Sequence, residues 1–218
     1  MYIPDHYKEH NAEAIIDLIR THPFGSLVTV IEGRVEIVHI PFILNDDGKH
    51  LRGHMALANP FMQAVRDGVE ATAIFRGPHS YISPQNYAEP SAHFPTWNYS
   101  IVHVSGPLRE LNRTETVRFL SDLITINERT VSDVSDYRLN SGPMHLFEKF
   151  LEGVIAFEMP MERVQGAFKI SQNKTSDDLV TQIRRLRDGS DVQRELAEYM
   201  IKVADAKRVQ EEGGTDDD

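Results

Sequence analysis

The sequence predicts an α+β protein in which a small antiparallel β-barrel carries helices at the start, middle and end of the chain. About six β-rich runs are separated mostly by short turn signals, which is typical of strands joined as hairpins. Apolar residues recur at helical spacing near both termini and in the middle of the chain. Helices kept apart from a hairpin-connected sheet indicate the α+β class rather than an alternating α/β fold.

The composition limits the classes of function open to this chain. Its 218 residues suit one domain with an appendage, and 40% apolar residues are enough for a core. Asp and Glu number 33 against 23 Lys and Arg, and the net charge of −10 disfavours broad binding to nucleic acid or to an anionic membrane. The lack of cysteine excludes disulfides, thiolate metal sites and cysteine nucleophiles. We find no signal peptide and no apolar run of roughly 20 residues, so we expect a soluble cytoplasmic protein.

The N-terminal segment predicts a helix followed by a β-hairpin. Residues 9 to 20 carry apolar side chains at helical spacing, and the helix should end before Pro23. Glu32-Gly33 is a turn signal between two β-rich runs, which predicts a hairpin. His39 and Pro41 share one face of its second strand. Because proline lacks an amide donor, we expect a bulge or a strand edge at that position.

The central segment predicts two more strands, a short helix and a loop. "HLRGHM" reads as a strand, and "NPFMQAVRDG" as a short helix with Asn59 as its cap and Pro60 at its first position. "VEATAIFRG" predicts a strand and "PHSYISPQNY" a proline-rich loop. The run "NYSIVHVSGPL", directly after Trp97, predicts another strand.

The C-terminal half is mostly helical. Residues 112 to 129 and the segment "MHLFEKFL" predict helices, and "GVIAFEMPMERVQG" predicts one further strand. The end of the chain predicts a helical extension followed by an acidic tail that we expect to be disordered. The predicted organisation is therefore a barrel domain over residues 1–174, a helical extension over 175–210 and a disordered tail over 211–218.

The segment "HLRGHMALANP" holds a candidate anion site. Arg52 and His54 alternate along a strand, so their side chains share a face, while Gly53 allows close approach to the backbone. Arginine, histidine and the free amides of a following helix are groups that bind a phosphate. The alternative is an ordinary strand and capped helix with basic residues on the surface.

Two further segments carry candidate binding groups. In "FKISQNK", Lys169 and Ser171 face one way and Gln172 adds an amide, although the composition alone favours a solvated loop. The loops around Tyr81, Tyr87, Trp97 and Tyr99 set aromatic rings among prolines. Such rings can enclose a flat ligand, contact a second subunit or cover the end of the barrel.

The sequence shows no pattern typical of a metal site or of a catalytic motif. Its ten histidines include no convincing helical pair of ligands. It contains no nucleophile elbow, Walker loop or dinucleotide-binding glycine motif. We therefore predict no metal ligands and no catalytic side chains.

Seven segments, in order along the chain, resemble the PaiB-type FMN-binding negative transcriptional regulators. The more specific are "PTWNY" and "KISQN"; the supporting ones are "MYIPDHY", "THPFGSLVT", "HIPFIL", "LRGHMALANP" and "FRGPHSYISPQNY". They cover the chain to about residue 174. The resemblance implies an FMN-binding split β-barrel, related to the pyridoxamine-phosphate oxidases, with flanking helices.

The resemblance also implies which residues hold the flavin. Arg52, Gly53 and His54 become the expected phosphate end of the cofactor site. Lys169 and Gln172 are expected to reach the flavin or its phosphate, and Trp97 to form a wall of the ring site between two subunits. His39 completes the set of predicted cofactor-binding residues.

The function that the resemblance implies is a dimeric, FMN-binding transcriptional regulator. The aromatic loops favour a homodimer, whereas the charge of −10 and the lack of a clear helix-turn-helix do not support direct DNA binding. Two alternatives remain open: a flavin-dependent oxidoreductase, or a haem-binding protein, on the same split barrel. The fold alone does not choose among them.

Overall fold

The structure is a computed structural model that describes residues 1–132, 137–139 and 141–213. The chain divides into two compact units. Unit 1 comprises Met1–Thr21, Arg76–Val102 and the chain from Gln165 onward, and unit 2 comprises His22–Phe75 and His103–Val164.

The described residues form nine strands and six α-helices, which do not alternate regularly along the chain. The strands are β1 (Lys8–Glu9), β2 (Phe24–Ile31), β3 (Arg34–Leu44), β4 (His50–Ala56), β5 (Glu70–Ile82), β6 (Thr96–Pro107), β7 (Arg109–Glu110), β8 (Val154–Pro160) and β9 (Arg163–Lys169). The helices are α1 (Ala12–Thr21), α2 (Met62–Arg66), α3 (Arg113–Val131), α4 (Met144–Glu152), α5 (Ser176–Arg187) and α6 (Asp191–Gly213).

Unit 1 joins a sheet to three helices. Its strand segments lie in the order β1-β9-β6-β5, and β1 pairs antiparallel with β9. Helices α5 and α6 pack against each other, and Phe168 of β9 meets Tyr199 of α6 edge-on at a ring distance of 5.9 Å. Leu18 of α1 and Leu196 of α6 are buried in the same unit. The predicted C-terminal helical segment is thus two helices, separated near Gly189.

Unit 2 is built on antiparallel strands in the order β5-β2-β3-β4-β8-β7. Phe42 is fully buried and meets Phe75 and Phe157 edge-on, at ring distances of 5.2 and 6.2 Å. A second apolar cluster joins α3 to α4 and β8 through Phe119 and Leu151. The amphipathic patterns of α3 and α4 are buried here, as their helical spacing predicts.

The predicted hairpin and the predicted strand edge at Pro41 are both confirmed. Glu32 and Gly33 have φ angles of 50° and 77°. Two successive positive φ angles are typical of the two-residue type I′ turn, whose twist matches that of the strands it joins. β3 pairs with β2 up to Pro41, whereas its pairing with β4 begins at Phe42. The Phe42 amide donates to the Pro23 carbonyl, so the nitrogen of the preceding residue, Pro41, points away from β2. On that side β3 has no paired strand at Pro41 among the described residues, so the missing amide donor costs no ladder bond.

Four local expectations are wrong. β5 continues through "PHSYI" to Ile82, where we expected a loop, and the expected single strand near residues 153–166 is the pair β8 and β9. Together with the two-residue strands β1 and β7, this gives more strands in the described residues than the predicted six. Helix α2 begins at Met62, later than expected, although the Asn59 side chain accepts the Phe61 amide as a capping asparagine does.

The end of the chain is described only in part. Helix α6 reaches Gly213, so the first residues of the predicted tail over 211–218 are helical. Residues 214–218 lie outside the described residues.

Candidate functional site

The predicted cofactor-binding residues fall in both units. Unit 2 holds His39, Arg52, Gly53 and His54, whereas unit 1 holds Trp97, Lys169 and Gln172. The two groups are described separately.

Arg52 belongs to a network of ion pairs on one face of unit 2. Its Nε donates to Glu158 Oε2 at 2.8 Å, and Nη2 of Arg109 donates to Glu158 Oε1 at 3.0 Å. Arg109 also pairs with Glu115. Burial raises the pKa of Glu158, but the hydrogen bonds from Arg109 and Arg52 outweigh it and hold that pKa below its ordinary value. A phosphate at this face would therefore compete with the Glu158 carboxylate for the Arg52 guanidinium.

His54 faces the same side of β4 as Arg52, as predicted, but helices cover it. Its ring lies 5.8 Å from Phe119 and 6.5 Å from Phe150, and its Nδ1 is buried with no hydrogen-bond partner in the described residues. Burial lowers the pKa of His54, so the ring is neutral at pH 7. Gly53 faces the core, where an added Cβ would lie 2.8 Å from the Phe157 ring. Packing alone therefore accounts for this glycine.

His39 lies on an exposed face of the β2–β3 hairpin. Its Nδ1 is 2.9 Å from the Ser26 hydroxyl on the paired strand. Apolar side chains surround this pair on the same face: Phe24, Val30, Val35 and Ile37 are all more than half exposed. We refer to these residues as the apolar hairpin face.

A pocket of about 340 Å³ opens in unit 1 beside the ends of β6 and β9. We call it the Lys169 pocket. It is lined by polar, cationic and aromatic groups: Tyr7, Tyr87, Ala92, His93, Phe94, Pro95, Thr96, Asn98, Lys169, Ser171, Asn173 and Lys174. These residues come from four separate stretches of the chain, which explains why no single motif marks the site.

Lys169 is the last residue of β9 and is half-buried. Its Nζ donates to the Thr96 hydroxyl at 2.5 Å and lies 5.6 Å from the centre of the Tyr7 ring. Burial lowers the pKa of Lys169, and the positive charge of Lys174 lowers it further. The amine is nonetheless held at the pocket by its contact with Thr96.

Lys174 faces the same pocket, beside a cluster formed by Tyr87, His93 and Asp178. The His93 ring stacks on Tyr87 at 3.9 Å, and Lys174 Nζ lies 5.4 Å from the centre of the Tyr87 ring. His93 Nε2 is 3.1 Å from Asp178 Oδ2, and His93 Nδ1 is 3.5 Å from Lys174 Nζ. Burial raises the pKa of Asp178, but the hydrogen bonds from the Ala88 amide, Thr175 and His93 outweigh it, and the pKa lies below its ordinary value.

Gln172 holds the turn that follows Lys169. Its Oε1 accepts the Ile170 amide at 2.9 Å, and its Nε2 donates to the carbonyls of His6, at 3.0 Å, and of Phe168. All these bonds lie within the protein. The contribution of Gln172 to a ligand would therefore be to position the turn that carries Lys169 and Lys174.

Trp97 points away from the Lys169 pocket. Its neighbours Thr96 and Asn98 line the pocket, and Trp97 takes the opposite face of β6 because side chains alternate along a strand. Trp97 is 54% exposed and meets Tyr81 edge-on at a ring distance of 6.2 Å. Tyr87, by contrast, is only 1% exposed, so it is not available for the subunit contact that we expected of the aromatic loops.

Sequence reasoning missed His93, Lys174 and Asp178. His93 and Lys174 were visible as polar residues beside the two specific motifs, but a histidine and a lysine 81 positions apart give no spacing signal. Asp178 belongs to the first turn of α5, where an acidic residue is also ordinary for a helix start.

Comparison with known proteins identifies the family. Residues 1–163 match the sequence model of a family described as "Putative FMN-binding domain". The chain belongs to this FMN-binding family. It is 31% identical over 203 residues to "Protease synthase and sporulation protein PAI 2" of Bacillus subtilis, a match that covers 92% of this chain and 96% of the relative. The resemblance to the PaiB type is thereby confirmed, and so is FMN as the cofactor.

Solved structures show the same fold at low sequence identity. The FAD and haem binding protein from Mycobacterium smegmatis has a TM-score of 0.58 at 15% identity, with 75% of this chain and 73% of that chain covered. A flavocytochrome from Azotobacter vinelandii has a TM-score of 0.58 at 10% identity, with 77% and 72% covered. The predicted split-barrel fold is confirmed.

The chemistry of the Lys169 pocket fits a flavin nucleotide. Two amines suit its phosphate or the electron-rich edge of its ring, while the ring of Tyr7 suits a flat partner. Asn173 adds an amide group that can meet polar ring atoms. In the described parts of the chain, no helix combines the length and the apolar character needed to cross a bilayer.

Proposed function

We propose that this protein is a cytoplasmic, homodimeric negative transcriptional regulator of the PaiB type that binds FMN as a ligand. The observation that carries the proposal is the Lys169 pocket, whose two amines and Tyr7 ring suit a flavin nucleotide in a chain of an FMN-binding family. In this proposal Lys169 contacts the cofactor, and Gln172 positions the turn that carries it. Trp97, His39, Arg52, Gly53 and His54 stay predictions from the sequence, because Trp97 points away from this pocket and the other four lie in unit 2.

The cofactor determines what chemistry the site can perform. Bound flavin supplies hydride or single-electron transfer. The protein's own groups would fix its position and its electrostatic surroundings: Lys169 places a positive charge at the pocket, and Thr96 holds that amine in place. Binding alone is sufficient for a regulator, so the proposal requires no catalytic side chain.

The apolar hairpin face supports the homodimer. Phe24 is 68% exposed and Ile37 is 55% exposed, on a face that β2 and β3 share. A patch of large apolar side chains on a sheet face is typical of a protein contact. A second copy of the chain could cover it through a self-complementary contact, as in most homodimers. This face replaces the aromatic loops as the basis of the proposed dimer.

The proposed regulatory role rests on sequence similarity to a relative rather than on a DNA-binding surface. The B. subtilis relative is named for protease synthesis and sporulation. The net charge of −10 argues against a strong electrostatic contact with DNA, so we propose that regulation acts through a partner or through the flavin state.

An absorption spectrum of the purified protein, with mass analysis of the released ligand, tests the cofactor. We expect flavin absorbance and the mass of FMN. A Soret band instead would indicate haem and contradict the proposal. Steady turnover of NAD(P)H by the flavin-loaded protein would indicate an oxidoreductase rather than a regulator.

A further inference from the structure

The Lys169 pocket holds two amines that no carboxylate neutralises among the residues the structure describes. Nζ of Lys169 contacts a threonine hydroxyl, and Nζ of Lys174 lies 3.5 Å from the His93 ring. Neither contact brings a negative charge to the amine. On the surface of the same unit, by contrast, Lys202 Nζ lies 2.6 Å from a carboxylate oxygen of Asp17.

Two amines in one pocket are costly without an anion. Each loses part of its hydration on burial, and their like charges repel, which is why the pKa of Lys169 is lowered. A bound anion would remove the repulsion and replace the lost hydration with charge-assisted hydrogen bonds. The pocket also offers the phenol of Tyr7 and the amide of Asn173 as further donors.

The surroundings of Lys174 hold its amine in place. An ammonium group only donates, so His93 Nδ1 accepts from Lys174, and the hydrogen on His93 Nε2 donates to Asp178. The Asp178 carboxylate also accepts the Ala88 amide, so it is buried and fixed. Asp178 and His93 are therefore positioning residues for Lys174.

We propose that Lys169 and Lys174 together bind the phosphate or carboxylate group of a small ligand in this pocket. The pocket volume of about 340 Å³ lies within the usual range for small-ligand sites, about 300–1,000 Å³. Such a group has two sources: the phosphate of FMN itself, or a separate small anion. The first source rests on the proposed function, and the second does not.

Calorimetric titration of the flavin-free protein with inorganic phosphate tests the site. We expect saturable binding that Lys174→Met and Lys169→Met each weaken roughly ten- to hundredfold, the usual size of a charge-assisted contact. The matched control is Lys202→Met, which removes a surface lysine and should leave the affinity unchanged. Circular dichroism confirms that each variant is folded. Absence of phosphate binding to the wild type, or full affinity in both pocket variants, would overturn the proposal.

Flavin titrations then separate the two sources. If the anion is the FMN phosphate, inorganic phosphate competes with FMN, and Lys174→Met weakens FMN binding while leaving riboflavin binding unchanged. If the anion is a separate ligand, phosphate binds the FMN-loaded protein as tightly as the flavin-free protein. A chain that binds phosphate through both lysines but binds no flavin retains the anion site and contradicts only the proposed cofactor function.

Discussion

The Nδ2 atom of Asn98 donates to the Ser171 hydroxyl at 2.9 Å, which joins β6 to the turn after β9 inside unit 1. Both residues are buried, and Ser171 has a φ angle of 67°, a left-handed conformation that is uncommon for residues with a Cβ. Asn98 Nδ2 also donates to the side-chain Oε1 of Gln182, on α5, at 3.3 Å. The contact thus holds a strained turn in the place where it presents Lys169 and Lys174.

Replacing Asn98 with alanine should destabilise the fold and loosen the pocket. The change removes the donor to Ser171 and leaves a buried hydroxyl with one partner fewer, which costs about 1–3 kcal/mol. Chemical denaturation of Asn98→Ala against wild type measures the loss. The exposed Gln85→Ala serves as the control and should change stability little. A wild-type free energy of unfolding for Asn98→Ala would show that the contact does not hold the turn.

Lys169→Met should lower both the affinity for FMN and the reduction potential of the bound cofactor. Reduction to the anionic flavin adds negative charge, which a nearby amine stabilises. A redox titration of the flavin-loaded variant measures the potential, with Lys202→Met as the matched surface control. Wild-type affinity and potential in Lys169→Met would remove this residue from the cofactor site.

Arg52→Ala separates a role in binding FMN from a role in folding. If Arg52 contacts the phosphate, FMN affinity should fall roughly ten- to hundredfold. Glu158 retains Arg109 as a partner, so the loss of folding stability should be smaller than the loss of binding. Flavin titration and denaturation of the same variant give both values. Unchanged affinity would place the phosphate elsewhere, and the structure offers Lys169 and Lys174.

The buried His54 should make stability fall in mild acid. Burial lowers its folded pKa below the ordinary value of 6.5, so the unfolded chain binds more protons once the pH drops below that value. Stability then decreases as the pH falls from 6.5 toward the folded pKa. In His54→Phe this decrease should be smaller, which melting temperatures at pH 7 and pH 5 would reveal. Equal decreases in both proteins would mean that His54 is not responsible.

Ile37→Glu should dissociate the proposed homodimer. A charge in the apolar hairpin face removes apolar burial and must lose its hydration on association, so the dissociation constant should rise tenfold or more. Analytical ultracentrifugation at micromolar concentrations measures the change. The control is Val180→Glu, at a residue of α5 that is 67% exposed outside this face. A wild-type protein that sediments as a monomer would contradict the dimer itself.

Local chemistry explains which parts of the fold were predictable. The turn at Glu32-Gly33 requires positive φ angles, and the capping box of Asn112 and Glu115 marks the start of α3, so nearby residues alone define both elements. The course of β5 is different. Pro78 and Ser80 resemble a loop, yet packing buries both residues within the strand. Tertiary contacts override local preference there, and sequence periodicity does not record them.

The candidate site likewise has parts that nearby residues predict and parts that depend on distant residues. The family resemblance of the segment around Lys169 predicted a cation beside the ligand, whereas the composition of that segment alone favoured a solvated loop. Lys174 and His93 form one group only because α5 brings Asp178 against the His93 ring. Arg52 and His54 share a face, as their alternation predicted, but Glu158 and the helices that cover that face come from distant parts of the chain.

Trp97 gives this protein a built-in optical probe. It is the only tryptophan of the chain, so excitation at the red edge of protein absorbance selects a single indole. The indole is more than half exposed, on the strand whose adjacent residues line the Lys169 pocket. Flavins absorb where tryptophan emits, so a flavin bound nearby would quench this emission by energy transfer. The emission wavelength of Trp97 would report separately on whether a partner protein excludes solvent from the same strand.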